Sequence, residues 1–313
     1  LKKAYQTTPA PGFVGRLESF LANLLIEKHQ FIEAESLIEQ AIRHNQEWEN
    51  LNHGAYAWLI KAKYFYALRD YQKADQAMQE VQTWVNKGPI VSTLRNSINL
   101  MWINLWLVSG EKEKTRQWLR NEIESLDQYQ KNINESSEVQ LLSAIKIFIA
   151  EGNLMDANHF AFSVEKNARK RNRHAILIQV LVLIALMETD KKKAQEALID
   201  ALLLGLPAGF RQVYLEYGKE LLSLLEECQK IKGVNEILSI IYQERTNHLN
   251  NILTEREIQI LGWMATGMSN IDIGEKLFIS AGTVKAHSAS IYRKLQVSNR
   301  TEAIAKAKDL GLV

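Results

Sequence analysis

The sequence predicts an all-α protein in two parts, a long array of helix pairs followed by a small module of four helices. Three observations lead there. Only 4 of the 313 residues are Pro, and Ala, Leu, Ile, Glu, Gln and Lys dominate, so helices can run without breaks. A two-helix pattern recurs between Phe31 and Leu204. After Ile252, short apolar-periodic stretches are bounded by Thr254, Gly267, Ser280 and Asn299, residue types that start or stop helices.

In the array, the first helices are expected at Val14 to Lys28, Tyr56 to Leu68, Leu94 to Val108, Val139 to Ala150 and Ala175 to Met187. The second helices begin FIEAESLIEQAI, YQKADQAMQEV, EKTRQWLRNEI, LMDANHFAFSV and KKAQEALIDAL. They carry a small residue in register at Ala34, Ala74, Thr115, Ala157 and Ala194, at spacings of 40, 41, 42 and 37 residues. A small side chain lets two antiparallel helices approach closely, while Leu37, Ile38, Met78, Trp118, Leu119, Phe160 and Leu198 fill the adjoining space. One pair cannot bury its apolar stripe alone, and stacking on neighbours supplies a continuous core. Asp70, Asp156 and Asp190 stand near starts of second helices, where a carboxylate can cap free N–H groups. The polar stretch Asp127 to Glu138 is expected as a loop. Gln229 to Asn251 makes a last helix with Val234, Ile237, Leu238 and Ile241 on one face, and its polar end RTNHLNN is expected as a linker. The domains are then residues 1–247 and 248–313.

The repeat is longer than the roughly 34 residues of a strict tetratricopeptide unit. With GFRQVYLEYGKELLSLL (Gly209 to Leu225) closing it, the array resembles the tetratricopeptide-like superhelix of large bacterial regulators of the MalT-like family. The resemblance implies that a small inducer or a regulatory protein acts on this domain. Trp48, Trp58, Trp84, Trp102, Trp106 and Trp118, with Tyr56, Tyr64 and Tyr66, either line a ligand surface or fill gaps between helices. Arg95, Asn99, Trp102 and Trp106 share one helix and form the candidate ligand surface. The basic run Lys166, Arg169, Lys170, Arg171, Arg173 and His174 reads as a solvated helix end.

In the last module, Thr254 and Glu257 have the spacing of a capping box, and the helix they start buries Ile258, Ile260, Leu261 and Met264. Ser269 or Asn270 starts a second helix with Ile273, Gly274 and Leu277 on its apolar face. Ser280 caps a third helix, on which Val284, Ile291 and Leu295 recur, and Asn299 precedes a fourth that carries Ala303, Ile304 and Ala307. This is the order of a helix-turn-helix, whose third helix would present Thr283, Lys285, Ala286, His287 and Ala289 to the major groove. Lys285 is placed to reach a base edge or a phosphate, and the helix N-terminus with Ser280 to reach a phosphate through backbone N–H groups.

The words LTEREIQIL, GMSNIDIGEKLFIS, TVKAH, IYRKLQV and NRTEAI stand in the order and spacing of the LuxR-type (GerE-like) DNA-binding domain, which this segment resembles over about 60 residues. The resemblance puts Lys285 and His287 on the recognition surface and makes Asn270, Ser280 and Thr283 phosphate contacts. Ala286, Ala289 and Arg293 complete the expected DNA-binding set, and Ala303, Ile304 and Ala307 lie near an expected dimer seam. Three departures bear on strength. Glu255 stands where Pro is usual, Ala281-Gly282 where Pro-Arg or a similar pair is common, and Ala289 where relatives tend to carry a polar or basic residue.

The expected partners are double-stranded promoter DNA, a small inducer or regulatory protein, and a second copy of the chain. The alternative is a helical-repeat scaffold with no direct promoter role. The expected function is transcription regulation, by resemblance activation, in the bacterial cytoplasm at the nucleoid. Net charge is only +2, which excludes a uniformly basic protein but not a local DNA-binding face. One Cys excludes an internal disulfide framework. There is no HExxH, CxxC, GxSxG or Gly-rich phosphate loop, so no catalytic residue, metal ligand or cofactor is expected here. The resembled regulators carry an ATP-binding domain upstream of the superhelix. The chain begins at Leu1 and is expected to be part of a longer protein.

Overall fold

The expected pairs are all present in a computed structural model, which describes residues 11–48 and 50–309. The protein is all-α, with no strand among the described residues. Helix α1 (Pro11–Glu27) pairs with α2 (Phe31–Trp48), α3 (Leu51–Ala67) with α4 (Tyr71–Val85), and α5 (Ser92–Ser109) with α6 (Lys112–Lys131). Helix α7 (Glu135–Ala150) pairs with α8 (Leu154–Lys170), and α9 (His174–Met187) with α10 (Lys191–Ala208). Short helices α11 (Gln212–Glu216) and α12 (Gly218–Glu227) follow, then α13 (Val234–Ile252). The last module holds α14 (Glu255–Ala265), α15 (Asn270–Leu277), α16 (Ala281–Leu295) and α17 (Arg300–Asp309). The chain divides into two compact units, Leu1–Val234 and Asn235–Val313.

Within the first unit, Ala34, Ala74, Thr115, Ala157 and Ala194 are all buried, as close helix approach requires. The turn between paired helices is itself repeated. His29, Arg69, Gly110 and Gly152 take φ of 60°, 62°, 72° and 76°, the left-handed conformation that stops a helix. The following residue then starts the partner helix. Asp70 accepts from the Lys73 N–H at 3.1 Å and Asn153 from the Asp156 N–H at 3.4 Å. The fifth pair reaches the same end differently, with Asp190 accepting from the Lys192 N–H at 2.9 Å. Asp156 is therefore not the cap expected of it: it lies inside the first turn, and Asn153 caps α8.

The odd-numbered helices α1, α3, α5, α7 and α9 pack on one another in sequence and form one layer. The five pairs coil far enough for α11 to touch both α1 and α9. Arg211 N–H donates to the Glu27 carbonyl at 2.8 Å, and Arg69 Nη2 to the Leu215 carbonyl at 2.6 Å. The Gly209 to Leu225 segment thus ties the end of the array back to its beginning.

Two sequence expectations need correction. Asp127 to Glu138 is not a loop. Helix α6 runs to Lys131 and α7 begins at Glu135, because Leu126 is fully buried and Gln130 Nε2 donates to Ser163 Oγ at 2.7 Å. Asn134 then starts α7 with a capping box, accepting from the Ser136 and Ser137 N–H groups while Ser137 Oγ accepts from its own N–H at 2.7 Å. Asn134→Ala should cost about 1 kcal/mol; an unchanged denaturant midpoint would show that the box contributes nothing. The second correction concerns RTNHLNN. The backbone is helical through it to Ile252, since polar residues without Gly or Pro do not stop a helix.

In the second unit, α14, α16 and α17 pack mutually, and α15 lies against α14 and α16. Their core is built from Ile260, Leu261, Met264, Ile273, Val284 and Ile291, all fully buried.

Candidate functional site

The two helices α15 and α16 form a tight turn-and-return. Ser269 caps α15 in a capping box with Asp272, and Phe278 stops it at φ 55°. Ile279 N–H donates to the Gly274 carbonyl at 2.9 Å, closing the turn. Ser280 Oγ then caps α16, accepting from the Thr283 N–H at 3.0 Å and lying 2.8 Å from Thr283 Oγ1.

Helix α16 has two distinct faces. Val284, Ser288, Ile291 and Leu295 are buried, whereas Gly282, Thr283, Lys285, Ala286, Ala289 and Arg293 are exposed. His287 is half-buried beside them, and Asn270 is half-buried at the start of α15. Lys285 and Arg293 make no hydrogen bond or ion pair with the described residues, so their charges are free for a partner.

Two other cations of this unit, Lys294 and Arg300, are already engaged. Glu257, nearly buried on α14, accepts from the Thr254 N–H at 2.7 Å, Ser290 Oγ at 2.7 Å and Lys294 Nζ at 2.6 Å. Burial alone would raise its carboxyl, but the bonds from Lys294, Thr254 and Ser290 outweigh that and hold it down at about 2. Arg300 Nη2 donates to the Met264 and Met268 carbonyls at 2.9 and 2.6 Å, tying α17 to the end of α14. The Glu257–Lys294 clasp was not read from the sequence; its partners are 37 residues apart.

The residues of the expected dimer seam lie on α17. Ala303 and Ala307 have no exposed surface and serve the module's own core, while Ile304 is half-buried. Inward orientation follows from their small size, which lets α17 lie close against α14 and α16.

In the first unit, Trp102 and Trp106 stack at 6.0 Å with 18° between their planes, as their spacing implied. They and Asn99 are half-buried, and Arg95 is exposed. Trp84 is buried in the core, and the Trp48 side chain lies outside the described residues. None of Arg95, Asn99, Trp102 and Trp106 lines the cavity of about 200 Å³ that the odd-numbered helices and α11 enclose. That cavity meets α5 at Ser97, Met101 and Asn104 instead. Its polar wall includes Glu27, Lys63, Asn104, Lys146, Gln212 and Glu216. Lys146 Nζ donates to Glu216 Oε1 at 2.8 Å and to Asn104 Oδ1 at 2.9 Å. Gln212 Oε1 is buried without a hydrogen-bond partner.

Among the described residues, no group of three or more His, Cys, Asp or Glu is placed to hold a metal ion. No described helix is long and apolar enough to cross a membrane. Cys228 is buried, and burial pushes its thiol up, away from the reactive thiolate.

Comparison with known proteins gives two family matches. The MalT-like TPR region matches residues 3–230, and the luxR family of bacterial regulatory proteins matches residues 251–307. The HTH-type transcriptional regulator MalT of Vibrio cholerae serotype O1 is 26% identical over 277 residues, 77% of this chain and 30% of the relative. The protein of that name from Vibrio parahaemolyticus is 24% identical over 274 residues, again 77% of this chain and 30% of the relative. That from Yersinia pestis is 26% identical over 242 residues, 66% of this chain and 26% of the relative. The chain thus spans less than a third of the length of these relatives.

Proposed function

The chain belongs to the MalT-like family of LuxR-type transcription regulators, and from that premise we propose that its second unit binds promoter DNA through α16 while its first unit senses a signal. The observation that carries the DNA reading is the exposed, unpaired Lys285 on a helix whose opposite face is locked in the core. Lys285 reads a base edge or a phosphate, with His287 beside it. Thr283, Ser280 and the free N–H groups of the α16 N-terminus take a phosphate, as does Asn270 at the start of α15. Arg293 adds a phosphate contact further along the helix. Two copies on a two-fold site would set half-site spacing, with the exposed part of Ile304 as the seam that remains open to a partner. Gly282 and Ala289 add no side-chain donors, so affinity rests on few residues.

The signal is a small inducer held in the cavity between the odd-numbered helices and α11. Its binding would bear on the ties that α11 makes to Glu27, Arg69 and Lys146. The regulatory outcome proposed is activation, in the bacterial cytoplasm. ATP use, where the whole regulator has it, falls to residues outside this chain.

Lys285→Ala should weaken promoter binding about tenfold and lower the slope of log affinity against log salt by about one. A mobility-shift titration at several salt concentrations reads both, and unchanged affinity would remove α16 as the reading helix.

A further inference from the structure

The cavity holds two ionisable groups that have not found each other. Glu27, from α1, and Lys63, from α3, both line it, and no ion pair joins them. The Glu27 carboxylate has no hydrogen-bond partner among the described residues, and Lys63 Nζ has only Asn23 Oδ1 at 3.3 Å. Burial pushes the Glu27 carboxyl up and the Lys63 ammonium down, each towards its neutral form, and each only partly relieved by the other's field. The second charged pair is different in kind: Lys146 and Glu216 are in direct contact and supported by Asn104, so they carry little unmet demand.

A half-buried cation and a half-buried anion that line one cavity without pairing are costly, and such a cost persists where a bound molecule removes it. Resting on the proposed sensing role of this cavity, we infer that its ligand is a small zwitterion, an α-amino acid with a compact apolar side chain. Its ammonium group meets Glu27 and its carboxylate meets Lys63, while the partnerless Gln212 Oε1 takes one of its N–H donors. Leu100, Leu142, Ile176 and Val213 supply an apolar stretch of the wall that suits an aliphatic side chain. Size points the same way. A volume of about 200 Å³ holds what six or seven waters would fill, taking roughly 30 Å³ for each. That matches a single amino acid.

The test is calorimetry and thermal melting of the full chain with the standard L-amino acids, each added alone. Leucine is compared with its deaminated analogue 4-methylpentanoate and its decarboxylated analogue 3-methylbutylamine, and a set of neutral saccharides serves as the uncharged comparison. We expect at least one aliphatic amino acid to bind and raise Tm, and both single-charge analogues to fail. Glu27→Gln and Lys63→Met should each weaken that binding at least about tenfold. The double variant, freed of both desolvated charges, should melt no lower than the parent, which shows that the binding loss is not unfolding. Amino-acid binding that survives Lys63→Met unchanged overturns the proposal. Binding of a neutral saccharide with no amino acid also overturns it but leaves the sensing role standing. Binding by neither set overturns both. Promoter binding, measured separately with Lys285→Ala, is unaffected by any of these outcomes.

Discussion

Replacing Gly274 by alanine is expected to destabilise the second unit by roughly 1–3 kcal/mol and to abolish its tight binding to DNA. The added methyl would stand 2.7 Å from the Ile279 carbonyl oxygen and 3.4 Å from Ala281 N. Both are backbone atoms of the turn leading into α16, so no side chain can swing aside to make room. The turn must open instead, straining the Ile279 N–H bond to Gly274 and shifting the Ser280 cap. Alanine's better helix propensity, worth about 1 kcal/mol over glycine, offsets only part of this. Gly282 is the contrasting case: a methyl there meets only Ser280 Oγ, at 3.6 Å. Gly282→Ala should therefore stabilise the unit by about 0.5–1 kcal/mol and leave DNA affinity intact. Hydrogen exchange of the α15 and α16 amides, with mobility shifts, separates the two variants. Identical behaviour would show that the close approach at Gly274 does not shape the turn.

Much of this architecture is legible in the sequence because its causes are local. Ala34, Ala74, Thr115, Ala157 and Ala194 announce the pairs, since a small side chain at a fixed register has one common purpose. Thr254 with Glu257, and Ser280 before α16, announce helix starts through spacing alone. The helix-turn-helix was likewise readable, because Gly267, Ser269 and Ser280 mark the ends of its short helices. What escaped was set by distance along the chain. Asp127 to Glu138 looks like a loop until Leu126 and Gln130 find partners on later helices. Trp102 and Trp106 stack along one face of α5, whereas the cavity lies against Ser97, Met101 and Asn104. No spacing rule could have joined Lys146 to Glu216, 70 residues away, or Arg69 to Leu215, 146 residues away. Those contacts exist only once the five pairs have coiled, so the cavity is a property of the stacked array and not of any single repeat.

Lowering the pH is expected to loosen the clasp that fixes α16. Glu257 on α14 is bound to Ser290 and Lys294 on α16, so its charge holds the two helices in register. Burial works against that charge, but the bonds from Lys294, Thr254 and Ser290 win and keep the carboxyl at about 2, below its ordinary 4.5. The folded unit therefore binds this proton less readily than the unfolded chain does. The resulting stability is fully present above pH 4.5 and drains away as the pH falls towards 2, in total about 3 kcal/mol. About 2 kcal/mol of it should disappear between pH 5 and pH 3. Asp272, whose carboxyl is lowered by its bonds to Ser269, adds a smaller loss of the same sign. Glu257→Gln keeps the shape and an acceptor for the Thr254 N–H but leaves the Lys294 ammonium without its anion. This variant should be less stable at neutral pH by about 2–3 kcal/mol, below the usual cost of breaking a fully buried pair because Lys294 is partly exposed. It should also lose most of the acid sensitivity, retaining only the part due to Asp272. Added salt should rescue neither protein, since a clasp this enclosed is poorly screened. Denaturant titrations followed through the α14 and α16 amides at pH 7, 5 and 3 supply the comparison. Equal acid slopes in parent and variant would place the sensitivity elsewhere in the unit and leave α16 held by its apolar face alone.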